Sequence, residues 1–240
     1  MPIKDSYVSV IVPTFNESGN IIPLIEGIHQ ELAGVRHQIV VVDDNSPDGT
    51  YQLVVGKNYA FVKAILRRED PSLAGSIRAG LQQADGDLLV VMDSDFNHQP
   101  KYLPCMIKNL EFYDAVVASR FVYGGMMEDR RRHLLSWVFN VFVRVMTGKY
   151  ITDSLYGFFA IHRSILEKTD HDKIFWGYGD YCIRLMYYLQ KNNVDILQIP
   201  VVNGKRLKGQ GNARFFWVFK QYAEATWQLV WRERLSRKSS

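Results

Sequence analysis

Four short runs of valine, isoleucine and leucine alternate with segments of helical periodicity along the first hundred residues. The runs span residues 7–13, 38–44, 61–66 and 87–93. Continuous apolar runs of this length are typical of parallel strands that are covered on both faces. Apolar positions repeat at helical spacing in residues 17–32 and 72–83, and a short helix is expected after residue 50. The alternation predicts an α/β fold, a doubly wound and mostly parallel sheet with helices on both faces.

The alternation continues after residue 100, although it is less regular. Helices are predicted at 104–110, 134–146, 180–190 and 214–235, and strands at 115–118, 158–161 and 196–201. No internal repeat, low-complexity linker or clear change of composition divides the sequence. A chain of 240 residues can bury one large core, so we expect a single domain spanning residues 1–240.

Polar motifs follow three of the predicted strands at the point where each strand ends. They are the segment PTFNE at 13–17, the pair Asp43-Asp44, and Asp93-Ser94-Asp95. In doubly wound sheets, ligands bind beyond the carboxyl ends of the strands. Two carboxylates one residue apart can face the same hard cation, so Asp93 and Asp95 indicate a site for Mg²⁺ or Mn²⁺.

Each motif taken alone also has a structural interpretation. An isolated Asp-x-Asp pair can form a solvated turn, Asp43 and Asp44 can cap the turn that follows them, and Glu17 can interact with a helix dipole. Neither a Walker lysine motif nor a GxGxxG fingerprint is present in the sequence. The residues alone therefore leave ligand-binding and turn-forming roles open.

The charge of the chain is divided unevenly. Residues 1–100 contain 7 Lys and Arg against 13 Asp and Glu, whereas residues 101–240 contain 22 against 12. A basic half indicates phosphate, nucleic acid or an anionic membrane surface as a partner. Nucleic acid is disfavoured because no recognised binding motif is present and the motif end of the sheet is acidic.

The sequence also bears on the compartment. Two cysteines are too few for a disulfide framework, which favours a reducing, cytoplasmic environment. The N-terminal residues do not form a basic and apolar secretory signal. The longest apolar stretch, 134–146, contains Asn140 and Arg144 and is shorter than the ~20 residues of a spanning helix.

Three segments at strand ends, VIVPTFNE at 10–17, VDDNSPDGT at 42–50 and DSDFNHQP at 93–100, occur in an order that resembles a known family. They resemble the family-2 inverting glycosyltransferases with the GT-A fold, and within them the dolichol-phosphate mannose synthase group. The turn PDGT at 47–50 and the segment LAGS at 73–76 favour that group. The resemblance covers roughly residues 6–212 and is strongest over the first hundred.

The resemblance implies a nucleotide-sugar and metal-binding half at about 6–100, an acceptor-binding half at about 101–212, and an amphipathic C-terminal helix with a basic tail at about 213–240. The implied donor-binding residues are Pro13, Phe15, Glu17, Val42, Asp44, Asp93, Ser94, Asp95 and Arg206. The implied metal ligands are Asp93, Asp95 and Asn97, and catalysis is assigned to Asp93, Asp95 and Arg206. Arg120, Arg132 and Ser136 are implied to bind an acceptor phosphate, and Asp180 is a candidate base.

The activity implied is a metal-dependent, inverting transfer of a hexose, most plausibly mannose from GDP-mannose, to a polyprenyl or dolichyl phosphate. Such a phosphate is already an anion and needs no strong base. Two alternatives stay open at this point. The enzyme could use UDP-glucose or UDP-GlcNAc, or a hydroxyl acceptor that requires Asp180 as base. The chain could instead be a non-catalytic nucleotide-binding subunit of a membrane complex.

Three residues depart from the family pattern. Phe15 replaces a tyrosine, Asn97 replaces a glutamine, and Asn212 stands where a lysine is usual. Two explanations of Asn212 stay open: Lys205 or Lys208 substitutes for the missing charge, or the donor or acceptor differs from that of the family. The apolar stretch at 134–146 and the aromatic segment at 215–231 contain interleaved basic residues, which is typical of helices in a membrane interface or of core helices. We therefore expect peripheral attachment to the cytoplasmic face of a membrane, directly or through a small membrane-anchoring subunit.

Overall fold

A computed structural model of the chain describes residues 6–204 and 215–238. Seven strands form one sheet with the order β3-β2-β1-β4-β6-β5-β7, in which β6 alone runs antiparallel to its neighbours. The strands are β1 Val8–Thr14, β2 His37–Asp43, β3 Val62–Leu66, β4 Leu88–Val91, β5 Ala115–Ser119, β6 Phe159–His162 and β7 Ile196–Pro200. The α/β class and the mostly parallel sheet predicted from the sequence are confirmed.

The predicted helices are present with small changes at their ends. The helices are α1 Ile21–Glu31, α2 Thr50–Lys57, α3 Leu73–Gln83, α4 Leu103–Asn109, α5 Arg130–Thr147, α6 Arg163–Leu166, α7 His171–Ile174, α8 Tyr181–Lys191 and α9 Phe215–Lys238. A 3₁₀ turn at Pro100–Tyr102 leads into α4. α5 begins before the predicted apolar stretch because Asp129 caps it, accepting hydrogen bonds from the backbone N–H groups of Arg131 and Arg132. The helices α6 and α7 were not predicted.

Helices cover both faces of the sheet. Alternate residues of β1 point to opposite sides, so that Val10 and Val12 pack with α1 and α4 while Ile11 packs with α3. α3 lies very close to the sheet, since a Cβ atom at Gly80 would stand 2.5 Å from Cγ2 of Ile11. This two-sided burial explains why the first strands are continuous apolar runs.

The order of the strands places a crevice at the end of the sheet where the parallel strands have their carboxyl ends. β1 pairs in parallel with β2 on one side and with β4 on the other. The chain therefore leaves β1 in one direction for β2 and β3, and later returns to its other side as β4. Ligands bind at such switch points, outside the carboxyl ends of the strands.

Candidate active site

The acidic turn after β4 lies in this crevice. Met92 still donates to the carbonyl oxygen of Ile11 on β1, and Asp93 follows directly. The Asp93 side chain is 40% exposed and Asp95 is half-buried. The structure thus brings Asp93 and Asp95, two of the three predicted metal ligands, to the end of the β1–β4 pair, where their carboxylates can be reached from the crevice.

Residues that come much later in the sequence support this turn. Oδ1 and Oδ2 of Asp95 accept hydrogen bonds from N and Nδ2 of Asn97 at 3.0 and 2.6 Å. The carbonyl oxygen of Asn97 in turn accepts from Oη of Tyr156 at 2.7 Å and from the N–H of Gly204 at 2.9 Å. Only glycine fits at 204, since a Cβ there would lie 1.9 Å from the carbonyl oxygen of Phe96.

His98 is the most deeply buried polar residue of this turn. Its Nδ1 accepts from the N–H of Asp93 at 2.8 Å, so the ring proton is on Nε2. Oδ2 of Asp93 lies 3.5 Å from Nε2. The ring stacks on Phe158 with centroids 4.9 Å apart. Burial lowers the pKa of His98 to about 4, against a smaller raising effect of the Asp95 carboxylate.

The lowered pKa of His98 predicts that acid weakens the fold. Its folded pKa of about 4 lies below the ordinary value of 6.5, so the unfolded chain binds more protons between these values. His98 contributes on the order of 3 kcal/mol to the free energy of unfolding. This contribution is complete above pH 6.5 and is lost as the pH falls towards 4. Urea unfolding at a series of pH values in this window measures it.

The matched variant for this measurement is His98→Asn, because asparagine retains an acceptor for the N–H of Asp93 but does not titrate. Its free energy of unfolding should change less than that of the wild type across the same pH window. Equal pH dependence in the two proteins would show that His98 does not supply the effect.

The loops after β1 and β2 are bonded to each other. The N–H groups of Asn16, Glu17 and Ser18 donate to the side chains of Ser46, Thr50 and Asp48 at 2.9, 3.0 and 2.9 Å. Phe15 projects from this surface and is 54% exposed. The structure therefore holds the predicted donor loops rigidly and leaves one aromatic face open to a ligand.

The two aspartates after β2 have different environments. Asp43 is fully buried and accepts from Oγ1 of Thr14 and from N and Oγ of Ser46, so it caps the turn. Asp44 accepts from Nη1 of Arg67 at 2.6 Å and from Oγ of Ser76 at 2.6 Å. Its predicted contact with the nucleotide stays a prediction.

The remaining residues that were predicted to bind the nucleotide-sugar donor, Arg206 excepted, lie at the same end of the sheet. Pro13 and Val42 are buried and directly paired in the register of β1 and β2, and Glu17 is buried with Oε2 accepting from Nδ2 of Asn20 at 2.6 Å. Ser94 is buried between the two acidic residues of the turn. Arg206 lies outside the described residues, as do Lys205, Lys208 and Asn212.

Arg120 forms a buried ion pair. Its Nε and Nη2 donate to the two carboxylate oxygens of Asp153 at 2.7 and 2.9 Å, and Asp153 is fully buried. The guanidinium also lies 4.6 Å from the ring centre of Tyr156. Burial opposes the charge, but Asp153 raises the pKa of Arg120 above its ordinary value. The structure thus shows a positioning role for Arg120, and its contact with an acceptor phosphate stays a prediction.

Arg132 and Ser136 lie on successive turns of α5 but differ in exposure. Arg132 is exposed, while Ser136 is buried and its carbonyl oxygen accepts from Nδ2 of Asn140 at 3.0 Å. Oδ1 of Asn140 accepts from the N–H of Ser154 at 2.8 Å, next to Asp153. Asn140 therefore joins α5 to the Arg120–Asp153 pair, and brings Ser136 near it.

Asp180 is paired with Arg184, and its role as a base stays a prediction. Nη1 of Arg184 donates to its Oδ2, and the N–H of Tyr178 donates to Oδ1 at 2.9 Å. Arg184 also stacks on Trp176, 3.8 Å from the ring centre, and donates to the carbonyl oxygens of Ile174 and Trp176. The i, i+4 spacing of Asp180 and Arg184 was a signal for this pair in the sequence.

Several tyrosines of the site were not predicted. Tyr156 supports the acidic turn, and its pKa is raised by burial. The pKa of Tyr178 is raised by burial and, to a lesser degree, by the carboxylates of Asp93 and Asp95. In the sequence, Tyr156 lies in the segment DSLYGFF at 153–159, which resembles a motif of the family, whereas Tyr178 had no distinguishing pattern.

Two features are absent from the described residues. No group of three His, Cys, Asp or Glu side chains in the described part of the chain is arranged to hold a metal by itself. Over residues 6–204 and 215–238, no helix combines the length and the apolar composition needed to span a membrane.

Comparisons with known proteins assign the family. The family model described as Glycosyl transferase family 2 matches residues 9–170. The chain is 29% identical over 236 residues to the dolichol-phosphate mannosyltransferase of Pyrococcus furiosus, a match that covers 96% of this chain and 66% of that one. It is 31% identical over 211 residues to the undecaprenyl-phosphate mannosyltransferase of Micrococcus luteus, with 85% and 86% covered. It is 33% identical over 212 residues to the polyprenol monophosphomannose synthase of Mycolicibacterium smegmatis, with 83% and 78% covered.

Solved structures agree on the fold. A glucosyl-3-phosphoglycerate synthase from Mycobacterium tuberculosis, in complex with Mn²⁺, UDP and phosphoglyceric acid, gives a TM-score of 0.75 at 18% identity, covering 94% of this chain and 79% of that one. The same enzyme with Mg²⁺ and UDP gives 0.71 at 19% identity, covering 92% and 78%. The GT-A fold predicted from the sequence is confirmed. The chain belongs to glycosyl transferase family 2.

Proposed function

We propose that this family 2 glycosyltransferase transfers mannose from GDP-mannose to a polyprenyl phosphate, with inversion at the sugar. The observation that carries the proposal is the turn of Asp93 and Asp95, fixed at the carboxyl end of β4 and open to the crevice. Three relatives of about 30% identity named as mannosyltransferases or mannose synthases of polyprenyl lipids support the sugar and the acceptor.

The residues of the turn fit a hard divalent cation. Asp93, Asp95 and the amide oxygen of Asn97 would hold Mg²⁺ or Mn²⁺, which prefer oxygen ligands completed by water and phosphate. The amide oxygen of Asn97 accepts from Nδ2 of Asn203 at 3.1 Å and keeps a second lone pair. When bound, the cation neutralises the charge that develops on the departing diphosphate. The mycobacterial neighbour, solved with Mn²⁺ and with Mg²⁺, supports this assignment.

The donor would lie across the ends of β1, β2 and β4. The exposed ring of Phe15 offers a flat apolar face for the nucleotide base. Pro13 and Val42, which are buried, would form the wall behind it, and Glu17 and Asp44 would contact the base and ribose. Ser94 would line the diphosphate site. The role of Arg206 as a cation for the diphosphate rests on the family resemblance.

The environment of Asp180 supports a phosphate acceptor. A hydroxyl nucleophile needs a base to remove its proton, but the carboxylate of Asp180 is bound by Arg184 and by the N–H of Tyr178. A lipid phosphate is an anion at neutral pH and can attack the anomeric carbon without a base. The arginines Arg130, Arg131 and Arg132 at the start of α5 are exposed and suited to a phosphate.

Binding of the donor tests the proposal first. Thermal unfolding is followed with GDP, UDP, GDP-mannose and UDP-glucose, each with and without Mn²⁺. A ligand at a hundredfold excess over its dissociation constant stabilises the fold by about 2.7 kcal/mol. We expect a metal-dependent shift with the guanine ligands alone. A shift with only the uracil ligands would contradict mannose as the sugar, and no shift with any of them would contradict the proposed function. Nucleotide binding without turnover of any donor would support the non-catalytic alternative.

Turnover with a polyprenyl phosphate tests the acceptor. Asp180→Asn should keep most of the turnover, because the proposed nucleophile needs no base, and the unfolding midpoint is measured alongside to detect any loss from the broken pair. If the acceptor were a hydroxyl, the same substitution should lower the rate by about a hundredfold or more.

The surface of α5 supports attachment to a lipid surface. Ser136, Asn140 and Val143 face the protein, while the opposite face of the helix exposes apolar side chains. These are Leu134, Leu135, Trp137, Val138, Phe142 and Val145. Exposed apolar patches of this kind mark interaction sites, and the neighbouring arginines complement an anionic membrane. We propose that α5 lies in the membrane interface beside the acceptor site.

Sedimentation with vesicles of phosphatidylcholine and an anionic phospholipid measures this attachment. The Leu134→Ser/Val138→Ser variant should lose most of its binding, whereas Val55→Ser, an equally exposed valine on α2, should bind as the wild type does. If the two variants bound the vesicles equally well, α5 would be excluded as the part of the protein that contacts the membrane.

A further inference from the structure

The loop between α5 and β6 contacts two parts of the proposed site that lie far apart in the sequence. At the start of this loop, Asp153 pairs with Arg120, which is predicted to bind the acceptor phosphate. At its end, Phe158 stacks on His98 of the acidic turn. Tyr156 lies between the two in the sequence and is only 7% exposed. It contacts both the acidic turn, which is the donor side, and Arg120, which is the acceptor side.

The hydroxyl of Tyr156 acts on the donor side. Its Oη donates to the carbonyl oxygen of Asn97 at 2.7 Å. Asn97 in turn donates from N and Nδ2 to the two carboxylate oxygens of Asp95 at 3.0 and 2.6 Å. A shift of the backbone at Asn97 would therefore move the Asp95 carboxylate as well as the amide of Asn97. Tyr156 thus positions two of the three proposed metal ligands through the main chain of one of them.

The ring of Tyr156 acts on the acceptor side. Cζ of Arg120 lies over this ring, 4.6 Å from its centre, which is within the range of a cation–π contact. Nε and Nη2 of Arg120 donate to Asp153, whereas Nη1 donates to Sδ of Met127 at 3.4 Å. A thioether sulfur is a weak acceptor, so Nη1 is the donor that a phosphate oxygen could take over. The ring of Tyr156 and the carboxylate of Asp153 together fix the direction in which Nη1 points.

The two contacts of Tyr156 belong to one rigid group. The phenol is planar, so a displacement of its hydroxyl also displaces its ring. His98 meets the ring edge-on with centroids 4.4 Å apart, which restricts the ring further. Burial raises the pKa of Tyr156 above its ordinary value, although the charge of Arg120 opposes this effect, so the hydroxyl stays protonated and remains a donor at neutral pH. The nearby charge also polarises the O–H group and strengthens its bond to the turn.

We propose that Tyr156 is a positioning residue that couples binding of the donor to binding of the acceptor. A metal and nucleotide bound at the acidic turn would fix Asn97 and, through it, the phenol of Tyr156. The fixed ring would hold Arg120 ready for the acceptor phosphate. Such a coupling is reciprocal, so the acceptor would also tighten binding of the metal and nucleotide. This inference rests on the proposed function.

Titration calorimetry in the absence of turnover measures the coupling. GDP with Mn²⁺ occupies the donor side without a sugar to transfer, and farnesyl phosphate, a short prenyl phosphate, occupies the acceptor side. We expect the wild type to bind farnesyl phosphate at least about fivefold more tightly when Mn²⁺ and GDP are present. In Tyr156→Phe this gain should fall below about twofold, because the ring stays over Arg120 but no hydroxyl reaches the turn.

The separate affinities of Tyr156→Phe should differ in the same way. Binding of Mn²⁺ in the presence of GDP should weaken about tenfold, the effect of one lost hydrogen bond, and binding of farnesyl phosphate alone should not change. The variant should fold, because the carbonyl oxygen of Asn97 still accepts from the N–H of Gly204 at 2.9 Å. The matched control is Tyr188→Phe, which removes a hydroxyl that donates to Oε1 of Glu233 at 3.0 Å between α8 and α9. It should change neither affinity nor the coupling.

Each other outcome is distinct. A merely structural role of Tyr156 would lower the urea midpoint and the fraction of protein that binds, but would leave the dissociation constants and the coupling unchanged. Independent binding of the two ligands to the wild type, or full coupling in Tyr156→Phe, would overturn the inference and leave the proposed function in place. If the donor panel selects uracil, UDP replaces GDP. A wild-type protein that binds no nucleotide, or no farnesyl phosphate even with Mn²⁺ and nucleotide present, would contradict the proposed function itself.

Discussion

Asp95→Asn is expected to lower turnover about a hundred- to a thousandfold while leaving the protein folded. Asparagine has the shape of aspartate, and its amide oxygen can keep one of the two hydrogen bonds that Asp95 accepts from Asn97. It lacks the charge that would hold a divalent cation against the departing diphosphate, and the loss of one such electrostatic contact typically has this magnitude. The initial rate of sugar transfer to a polyprenyl phosphate, measured over a series of Mn²⁺ concentrations, tests the expectation.

The chain provides a matched control on the same strand. Asp87 lies at the opposite end of β4, where its Oδ2 accepts from the N–H of Tyr7 at 3.1 Å. Asp87→Asn changes the charge equally and should keep the wild-type rate. Removal of the metal with EDTA should abolish the rate of the wild type and of this control. If Asp95→Asn retained near-normal turnover at all metal concentrations, the assignment of the metal site would be wrong.

The second large effect concerns stability. Asp153→Ala should lower the free energy of unfolding by about 3–5 kcal/mol, because the substitution leaves the charge of Arg120 buried without its partner. Asp153 accepts from Nε, Nη2 and the backbone N–H of Arg120, and it is fully buried. Urea unfolding monitored by tryptophan fluorescence measures the loss.

An exposed ion pair of similar length provides the comparison. Arg78 and Asp172 are 2.5 Å apart, but Asp172 is 81% exposed, so Asp172→Ala should cost less than about 1 kcal/mol. The double variant Arg120→Met/Asp153→Leu should recover part of the loss, since neither charge remains alone. If Asp153→Ala and Asp172→Ala lowered the free energy of unfolding by similar amounts, burial would not increase the contribution of the Arg120–Asp153 pair to stability.

The sequence predicted those elements whose pattern is local. The continuous apolar runs of β1, β2 and β4 follow from burial on both faces of the sheet, and their order predicted that their polar ends meet at one edge. The helices α6 and α7 have four residues each, too few to show a period. The first turn of α5 is polar and basic, so the apolar pattern began after it, although the capping Asp129 was a usable signal.

Roles that depend on distant partners could not be predicted. Asp43 and Asp44 are adjacent and identical in type, yet one caps a turn and the other pairs with Arg67. Nothing in the sequence connects Arg120 with Asp153, which is 33 residues away. The burial of His98 likewise depends on Tyr156 and Phe158 of a later segment. Residue type and strand position predicted where the site lies, but not which of its side chains pair with one another.

The support of the acidic turn by Gly204 has a consequence for folding. The bond from the N–H of Gly204 to the carbonyl oxygen of Asn97 joins residues 107 positions apart, and Oη of Tyr156 reaches the same oxygen from 59 positions away. During synthesis, the acidic turn leaves the ribosome well before either support. Contacts of such high sequence separation form late and slowly. The nascent N-terminal half therefore carries the acidic residues but not their working geometry, which is completed only when β7 has joined the sheet.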